Sequence, residues 1–380
     1  MKPNPRAGLA FILAMILLGG ASPAAAARHD RGLDCGGTVT ESVRLTADLR
    51  NCPENGLVIG ADGITLDLNG HRVDGDASGG GVGIDLEGHR GVTIENGTVR
   101  DFGEGVLVLD GRGVRILRVV SLHEEHGGIL VDGGRDVTIA RSVVRRSGAG
   151  IIVTRSNRVR VTANRVSRSA FGGIPVFESR RVLISRNTVT RCRTDMGIGL
   201  VSGSSGSVVR ENRVSRSGAG IVAADGAAHN LIAGNSIHRN NSGVVLDVGT
   251  HDNRVLGNVI GRSAFEGIAV VGSDRNLIAR NRVIGSGQVD PAGGIVVIPL
   301  PDDASQTSDA NRVVGNAALR NLGDGILVGE SRTGTVLRAN RAYRNTELGI
   351  AAAAGTIDGG RNRAARNGDP RQCVGVACQP

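Results

Sequence analysis

Apolar and polar residues alternate in short runs along most of this chain, and each repeat of the pattern opens with a glycine followed by Ile or Val. Successive glycines of this kind are separated by 22 to 31 residues, most often by 23. They are Gly83, Gly105, Gly128, Gly150, Gly173, Gly197, Gly220, Gly243, Gly267, Gly294, Gly325 and Gly349. A nearly constant period of this size is typical of a solenoid, in which each repeat is one coil that packs only against its neighbours.

The runs within one repeat predict β-strands. Residues 129–131, 137–139 and 143–144 are rich in Val and Ile and alternate with a period of two, and turn-forming residues separate them. No helical stripe with a period of 3.6 competes with this pattern inside the repeats. The sequence therefore predicts an all-β, single-domain parallel β-helix of about 13 coils, with about 23 residues and three short strands in each coil.

One column of asparagines falls just after the second predicted strand. Asparagine tolerates the left-handed turn conformation and can hydrogen-bond to its copies in the coils above and below, so we predict a structural ladder. Its members are Asn164, Asn187, Asn212, Asn235, Asn258, Asn281, Asn316 and Asn340.

The repeats have the form Gly-Ile-x-Val and then Asn-x-Ile-x-x-Asn, with the clearest copy of the second half at residues 276–281. In this pattern the chain resembles the right-handed parallel β-helix proteins of the pectate-lyase-like superfamily over roughly residues 35–380. The resemblance implies the fold but no single activity, because the superfamily contains lyases, hydrolases, epimerases and adhesins. The chain has neither Gly-His-Gly of the polygalacturonase type nor Asp-Pro-His-Asp of the mannuronan epimerase type, so no catalytic subfamily is implied.

The ends of the chain differ from the repeats. Residues 1–27 combine a basic start, an apolar segment and small residues, which predicts a signal peptide. The mature protein is expected to be secreted, extracellular or periplasmic, with no membrane span. Residues 28–56 are predicted as an N-terminal cap, 57–367 as the β-helix and 368–380 as a C-terminal tail.

The cysteines fit export to an oxidising compartment. We predict that Cys35 and Cys52 form a disulfide in the cap and that Cys373 and Cys378 form another in the tail, where they staple the ends of the solenoid. Cys192 is left over, either as a buried inert thiol or as a reactive one.

The formal net charge is +9, and Lys2 is the only lysine, so arginine carries nearly all of the positive charge. A positive surface attracts polyanions, but without Trp and with one Tyr the chain offers no stacking platform, so nucleic acid is not expected as a partner. Six arginines four residues after the asparagine column are the predicted substrate-binding residues: Arg168, Arg191, Arg216, Arg239, Arg262 and Arg320. Stacked about 4.8 Å apart, they repel one another unless carboxylates, solvent or a bound polyanion offset the charge, and these alternatives stay open.

Two consecutive repeats are lengthened, around residues 285–292 and 299–309, and solenoids commonly carry function in such insertions. We expect both insertions to gather carboxylates, including Asp309 and Asp324, near Arg262, Arg320 and Glu266. The candidate catalytic residues are Asp302, Asp303, Asp324 and Glu266, and the candidate metal ligands are Asp290, Asp302 and Asp303, with Ca²⁺ as the cofactor that such oxygens suit. The alternative is a polar surface loop.

A second candidate for metal binding or proton transfer is the turn from His123 to His126, with a solvated loop as its alternative. In addition, the outward residues of the first strand form an apolar stripe that either associates with a partner or is partly buried in a flat sheet. Its members are Leu107, Leu130, Ile152, Pro175, Val222, Val245, Ala269, Val296 and Leu327.

Two hypotheses of function follow. The first is an exported protein that binds or processes an acidic, uronate-containing polysaccharide, by β-elimination or hydrolysis if it is an enzyme. The second is a non-catalytic surface, adhesion or structural rod that self-associates through the apolar stripe. The sequence does not decide whether the protein is an enzyme.

Overall fold

A computed structural model describes residues 28–29, 33–192, 196–289, 293–300 and 307–380. Within these residues the chain forms β-strands and no helix, and none of the described segments could cross a membrane as a helix. The predicted signal peptide lies outside them. The strands are β1 (Arg28–His29), β2 (Gly37–Val39), β3 (Val43–Arg44), β4 (Leu49–Cys52), β5 (Leu57–Ile59), β6 (Thr65–Asp67), β7 (Arg72–Gly75), β8 (Val82–Glu87), β9 (Thr93–Arg100), β10 (Glu104–Leu109), β11 (Arg115–Leu122), β12 (Gly127–Asp132), β13 (Thr138–Ala140), β14 (Val143–Arg145), β15 (Ala149–Thr154), β16 (Arg160–Thr162), β17 (Arg165–Ser167), β18 (Ile174–Phe177), β19 (Leu183–Ser185), β20 (Thr188–Thr190), β21 (Met196–Val201), β22 (Val208–Arg210), β23 (Arg213–Ser215), β24 (Ala219–Ala223), β25 (Leu231–Ala233), β26 (Ser236–His238), β27 (Ser242–Leu246), β28 (Arg254–Leu256), β29 (Val259–Gly261), β30 (Ile268–Val271), β31 (Leu277–Ala279), β32 (Arg282–Ile284), β33 (Ile295–Ile298), β34 (Arg312–Val314), β35 (Ala317–Leu319), β36 (Ile326–Val328), β37 (Val336–Arg338), β38 (Arg341–Tyr343), β39 (Ile350–Ala352), β40 (Ile357–Asp358), β41 (Asn362–Ala365), β42 (Cys373–Val374) and β43 (Cys378–Gln379).

The strands recur in threes, as predicted, and every pairing between coils is parallel. In one coil β12, β13 and β14 pair with β15, β16 and β17 of the next. The first strands form a 15-stranded sheet, while the second and third strands together form a 28-stranded sheet. The predicted parallel β-helix is therefore confirmed. It is slightly longer than 13 coils, because β2 within residues 28–56 and β42 within residues 368–380 also pair with first strands.

The core is a column of aliphatic side chains that point inward from all three strands. In the coil of β12 to β14, Ile129, Ile139 and Val144 are completely buried, and the same positions are filled by Ile or Val in most coils. Parallel strands that are covered on one face by such a column need β-branched residues to fill the space between coils. The repeating sequence pattern therefore builds one continuous core along the axis.

The repeated glycine is required by packing. A Cβ atom at Gly243 would collide with the carbonyl oxygen of Gly267 in the next coil and with a methyl group of Ile260 on the third strand. Gly150 meets the same kind of obstacle, with Gly173 in the next coil and Val166 on the third strand. The first strand thus lies so close to its neighbours that any side chain at this position would separate the coils.

The predicted asparagine ladder is confirmed. The amide N–H of Asn212 donates to Oδ1 of Asn235 at 2.9 Å, and Nδ2 of Asn235 donates to the carbonyl of Val209 and to Oδ1 of Asn258, both at 2.9 Å. The left-handed backbone, however, falls on the residue before each asparagine, as at Glu211 with φ of 56°. The asparagine must point inward to reach these partners, so its neighbour makes the turn.

We expect Asn235→Ala to lower the free energy of unfolding by about 2–3 kcal/mol. Removing the side chain leaves the N–H of Asn212 and the carbonyl of Val209 buried without partners, at about 1–3 kcal/mol for such a group. Denaturant unfolding followed by circular dichroism measures the effect. Asn241→Ala is the control, because Asn241 is exposed and should change stability little; equal losses for the two variants would contradict the ladder's role.

Two further polar ladders stabilise the other corners of the coil. Asn230 and Asn253 belong to the corner between the first and second strands, with the N–H of Asn230 donating to Oδ1 of Asn253 at 3.0 Å. Asn321 and Asn345 belong to the corner between the third strand and the next first strand, with the corresponding hydrogen bond also at 3.0 Å. Side-chain amides therefore hold all three corners rigidly. As a result, the exposed residues beside these corners occupy equivalent positions in successive coils.

Both predicted disulfides are present, Cys35–Cys52 near the start and Cys373–Cys378 near the end of the chain. Such bonds are typical of oxidising compartments. Cys192 is the free cysteine, and it is completely buried in the third-corner ladder. Desolvation raises the pKa of its thiol, which favours the inert form of this residue over the reactive one.

Candidate functional site

The six predicted substrate-binding arginines occupy one column directly after the third strand. Arg216, Arg239 and Arg262 follow β23, β26 and β29, and each is exposed with a left-handed backbone, φ 56° to 59°. From Arg146 to Arg366 every residue of this column is arginine except Gly285. A left-handed backbone costs a residue with a side chain about 1 kcal/mol relative to glycine, so the turn itself does not explain why arginine is used here.

A groove lies beside this column on the outer face of the third strands. Its first part has a volume of about 730 Å³, with Arg216, Arg239 and Arg262 along one edge. At Ile284 it meets a second depression of about 520 Å³ that includes Arg320. We call this combined feature the arginine groove. Its floor carries hydroxyl and imidazole groups in the first part and apolar and phenol side chains in the second. In chain order the floor residues are Thr188, Thr190, Ser215, Ser236, His238, Gly261, Ile284, Leu319, Tyr343 and Ala365.

The described carboxylates do not neutralise the arginine column. Among the described residues, none of the six arginines is in an ion pair, whereas Arg186 elsewhere pairs with Glu211 at 2.9 Å and Arg158 pairs with Asp136 at 2.5 Å. Neighbouring guanidiniums about 4.8 Å apart repel by roughly 1 kcal/mol even in bulk water. Within the described residues, solvent or a bound anion therefore remains to offset this charge, and Asp195, Asp290, Asp302 and Asp303 lie outside them.

His238 lies on the floor of the arginine groove, with Nε2 3.0 Å from the hydroxyl of Ser236. Desolvation, with the charges of Arg239 and Arg262 adding to it, holds the pKa of His238 below its ordinary value. The imidazole is therefore neutral near pH 7 and can accept a proton. His238 was not predicted from the sequence, because its column holds a different residue type in nearly every coil and shows no pattern.

The structure brings two of the four predicted catalytic residues onto one column. Glu266 directly precedes Gly267 and Asp324 directly precedes Gly325, so they lie two coils apart with Gly293 between them, about 10 Å along the rod. Asp324 accepts the N–H of Leu348 at 2.9 Å, and desolvation raises the pKa of its carboxyl, with a smaller effect from the charges of Glu347 and Asp369. Glu266 accepts the hydroxyl of Ser242 at 3.2 Å.

The two insertions lie at opposite ends of β33, because residues 285–294 precede this strand and residues 299–311 follow it. Asp290, Asp302 and Asp303 lie outside the described residues. Asp309 accepts the N–H of Thr333 at 2.9 Å at the corner between the first and second strands. The expectation that Asp309 joins Asp324 is therefore wrong, because a complete first strand separates the two corners.

The sequence and the geometry agree with a known family. The family model of the right handed beta helix region matches residues 80–235, 127–284 and 194–341, which together span more than half of the chain. This chain belongs to the right-handed β-helix family. No curated protein has a significantly similar sequence.

Solved right-handed β-helix structures resemble the chain in fold. The A-module of mannuronan C-5 epimerase AlgE6 from Azotobacter vinelandii is 16% identical with a TM-score of 0.56, and 91% of each chain is covered. The A-module of AlgE4 from the same organism has a TM-score of 0.52 at 16% identity, again with 91% of each chain covered. PfbA, a surface adhesin of Streptococcus pneumoniae, is 12% identical with a TM-score of 0.53, covering 69% of this chain and 78% of that one. At these identities the likeness shows the fold alone.

This right-handed β-helix protein also buries the carboxyl of Glu124, although the sequence predicts only a turn from His123 to His126. Glu124 is 1% exposed and occupies the third-corner ladder, where it accepts the N–H of Phe102 at 2.9 Å and the hydroxyl of Ser121 at 3.1 Å. Desolvation raises its pKa to about 8. Its neighbour His123 is exposed and lies 3.3 Å from Asp101. The turn therefore combines a solvated histidine with a buried carboxyl, and the predicted solvated loop describes only part of it.

Glu104 shares the column of Glu266 and Asp324 at the start of a first strand. One oxygen of its carboxyl is buried without a hydrogen-bond partner, and desolvation raises its pKa to about 7. No sequence feature distinguished Glu104 from a surface glutamate, because its burial arises from neighbouring coils, including the close approach to Gly127.

The apolar stripe of the first-strand sheet is partly exposed. Pro175, Ala269 and Val296 are buried, and the other six members are half-buried by neighbours in adjacent coils. This burial favours the interpretation of a flat strand covered partly on both sides. Self-association through the stripe stays a prediction.

Proposed function

We propose that this protein binds an acidic, uronate-containing polysaccharide along the arginine groove. The observation that carries the proposal is the column of exposed arginines that no described carboxylate neutralises. A bound polyanion would convert the repulsion within this column into charge-assisted hydrogen bonds, which guanidinium groups form in a bidentate manner with carboxylates.

The dimensions of the arginine groove fit an extended polymer. Except at Gly285, one guanidinium is presented per coil, at intervals of about 4.8 Å, and an extended polyuronate carries a carboxylate on every sugar. The hydroxyl groups of Thr190, Ser215 and Ser236 suit sugar hydroxyls, and Ile284 and Tyr343 suit the apolar face of a sugar ring. The long axis of the rod would then be the axis of the polymer.

The comparisons add to this proposal. Two similar folds belong to mannuronan C-5 epimerase modules, so the scaffold is used by proteins that act on a polysaccharide. Export to the periplasm or the cell exterior, where such polymers occur, is part of the proposal and is supported by the two disulfides.

Processing of the polymer is the second part of the proposal. Glu266 and Asp324 would act as an acid and base pair, because they share one column at the corner that follows Arg262 and Arg320 in the chain and because burial favours the protonated form of Asp324. His238 is an additional base on the groove floor. Ca²⁺ held by Asp290, Asp302 and Asp303 remains part of this proposal.

Binding is tested by titrating the purified mature protein with polymannuronate, polygalacturonate and neutral dextran, with and without Ca²⁺. We expect saturable binding of the two polyuronates, none of dextran, and weaker binding as the salt concentration rises. Equal affinity for dextran and the polyuronates would overturn the proposal. Binding without any product would assign the chain to lectin-like or adhesive proteins rather than enzymes.

Turnover is tested on the same polymers by the ultraviolet absorbance of unsaturated uronates and by new reducing ends. If product forms, we expect Glu266→Gln and Asp324→Asn each to lower its rate about 100-fold, the usual range for losing a general acid or base. Glu330→Gln is the control, because Glu330 is exposed and lies beyond the opposite end of β36 from Asp324. A rate unchanged in both test variants would place the chemistry elsewhere.

A further inference from the structure

A second cluster of functional side chains lies at the corner between the first and second strands, away from the arginine groove. His229 precedes Asn230, and Asp252 precedes Asn253, so the two occupy the same position in successive coils. Both have left-handed backbones, with φ of 56° and 55°. The asparagine ladder beside them, with its 3.0 Å hydrogen bond from Asn230 to Asn253, fixes their backbones relative to each other.

His251 completes the cluster. The N–H of His229 donates to the carbonyl of His251 at 3.3 Å, so the two histidines lie on neighbouring coils. Their rings are nearly perpendicular, with centroids 5.7 Å apart. One nitrogen from each ring and a carboxylate oxygen of Asp252 all lie within 4.8 Å of one another. Three donor atoms from two coils therefore converge on one point at the surface.

The donor set indicates the class of metal. Two imidazoles and one carboxylate suit Zn²⁺ and its neighbours among the divalent transition metals, whereas Ca²⁺ prefers oxygen ligands alone. Zinc–nitrogen bonds of about 2.0–2.1 Å require ligand atoms closer together than in the metal-free arrangement, and small side-chain rotations supply the difference. His229 is exposed, so the remaining coordination positions face water.

One contact opposes cation binding and makes the site testable. The guanidinium of Arg275 donates to both oxygens of Asp252, at 3.3 Å to Oδ1 and 3.2 Å to Oδ2, and Oδ2 also lies 2.8 Å from Nδ1 of His251. A metal would have to compete with Arg275 for this carboxylate. His251 would likewise exchange its Nδ1 contact with Asp252 for a bond to the metal, because a carboxylate held on Nδ1 is too far from a metal on Nε2 to be its ligand.

We propose that His229, His251 and Asp252 form a surface site for a divalent transition metal, with Zn²⁺ as its ligand. The site is independent of the polysaccharide proposal, because its residues lie at a different corner of the coil and none of them lines the arginine groove. Zinc should therefore bind with or without a polyuronate present.

The test is isothermal titration of the full mature chain, free of any histidine tag, with ZnCl₂ at pH 7.5. We expect one zinc ion per chain, and His229→Ala or His251→Ala should each weaken binding at least tenfold. His89→Ala is the matched control: His89 lies 3.0 Å from Asp62 but belongs to no group of three metal-ligand side chains among the described residues, so zinc affinity should not change. CaCl₂ should not displace the zinc.

Two further measurements separate the outcomes. Arg275→Gln should strengthen zinc binding several-fold by freeing Asp252, and an unchanged affinity would remove Asp252 from the site. Nuclear magnetic resonance of the imidazole carbons should show shifts at His229 and His251 on zinc addition. No saturable zinc binding below millimolar concentration, or equal binding by the His229→Ala variant, would overturn the proposal.

Discussion

Replacing Arg216, Arg239 and Arg262 together by glutamine should lower the affinity for polymannuronate about 1000-fold. A charge-assisted hydrogen bond contributes about 1.5 kcal/mol, or roughly tenfold in affinity, and three such contacts are removed in successive coils. All three arginines line the same part of the arginine groove and have no carboxylate partner among the described residues. Titration in about 50 mM salt measures the loss, since higher salt would screen part of the interaction.

The control has the same change in net charge at the other two corners of the coil. Arg155, Arg158 and Arg186 are also exposed, but they pair with Asp132, Asp136 and Glu211. Their triple glutamine variant should bind polymannuronate within a few-fold of the parent protein. If both triple variants lose affinity equally, the polymer recognises the overall charge and not the groove. If neither does, the arginine column is solvated, which is the alternative that the sequence left open.

The fold could be predicted because its two strictest requirements are visible as residue types. The first strand approaches its neighbours so closely that only glycine fits, which places Gly243 and its copies at a constant interval. The asparagine corner needs an amide that both donates and accepts, which fixes Asn235 and its copies. A solenoid repeats the same environment in every coil, so each requirement appears many times and its period becomes clear.

The candidate site could be predicted only where it also repeats. The arginine column is visible from the sequence because arginine recurs four residues after the asparagine. His238, Glu104 and Glu124 each occur once in columns that other residues fill, so no period reveals them. Their altered pKa values come from burial by adjacent coils, and burial of this kind depends on contacts across about 23 residues or more.

The corner at which each insertion lies could not be predicted, for a related reason. Counting residues showed that two consecutive coils are lengthened, and adjacency along the rod suggested one shared cluster. The extra residues emerge at different corners, however, because one insertion follows β32 and the other follows β33. Asp309 therefore lies near Asp274, whose carboxylate accepts its N–H at 2.7 Å, and not near Asp324. Repeat length alone does not say which corner has been extended.

Glu124→Gln should make the protein more stable at pH 8.5 by several kcal/mol while leaving it nearly unchanged at pH 4.5. The pKa of Glu124 rises from an ordinary 4.5 to about 8 on folding, so between these values only the folded chain holds the proton. Unfolding then releases a proton, and stability falls by about 1.4 kcal/mol for each unit of rising pH within this window. Glutamine can accept the N–H of Phe102 through Oε1 and donate through Nε2 to the hydroxyl oxygen of Ser121, and it has no proton to lose.

Denaturant unfolding at pH 4.5, 6.5 and 8.5 measures this difference, which should grow steadily over the series. Glu104 shifts stability with pH in the same direction, but it is present in both proteins and cancels in the comparison. Glu125→Gln is the matched control, because Glu125 is the next residue and is exposed, so its substitution should give nearly the same small change at each pH. A Glu124→Gln difference that does not grow with pH would mean that the carboxyl is already ionised in the folded coil, with water or a cation beside it.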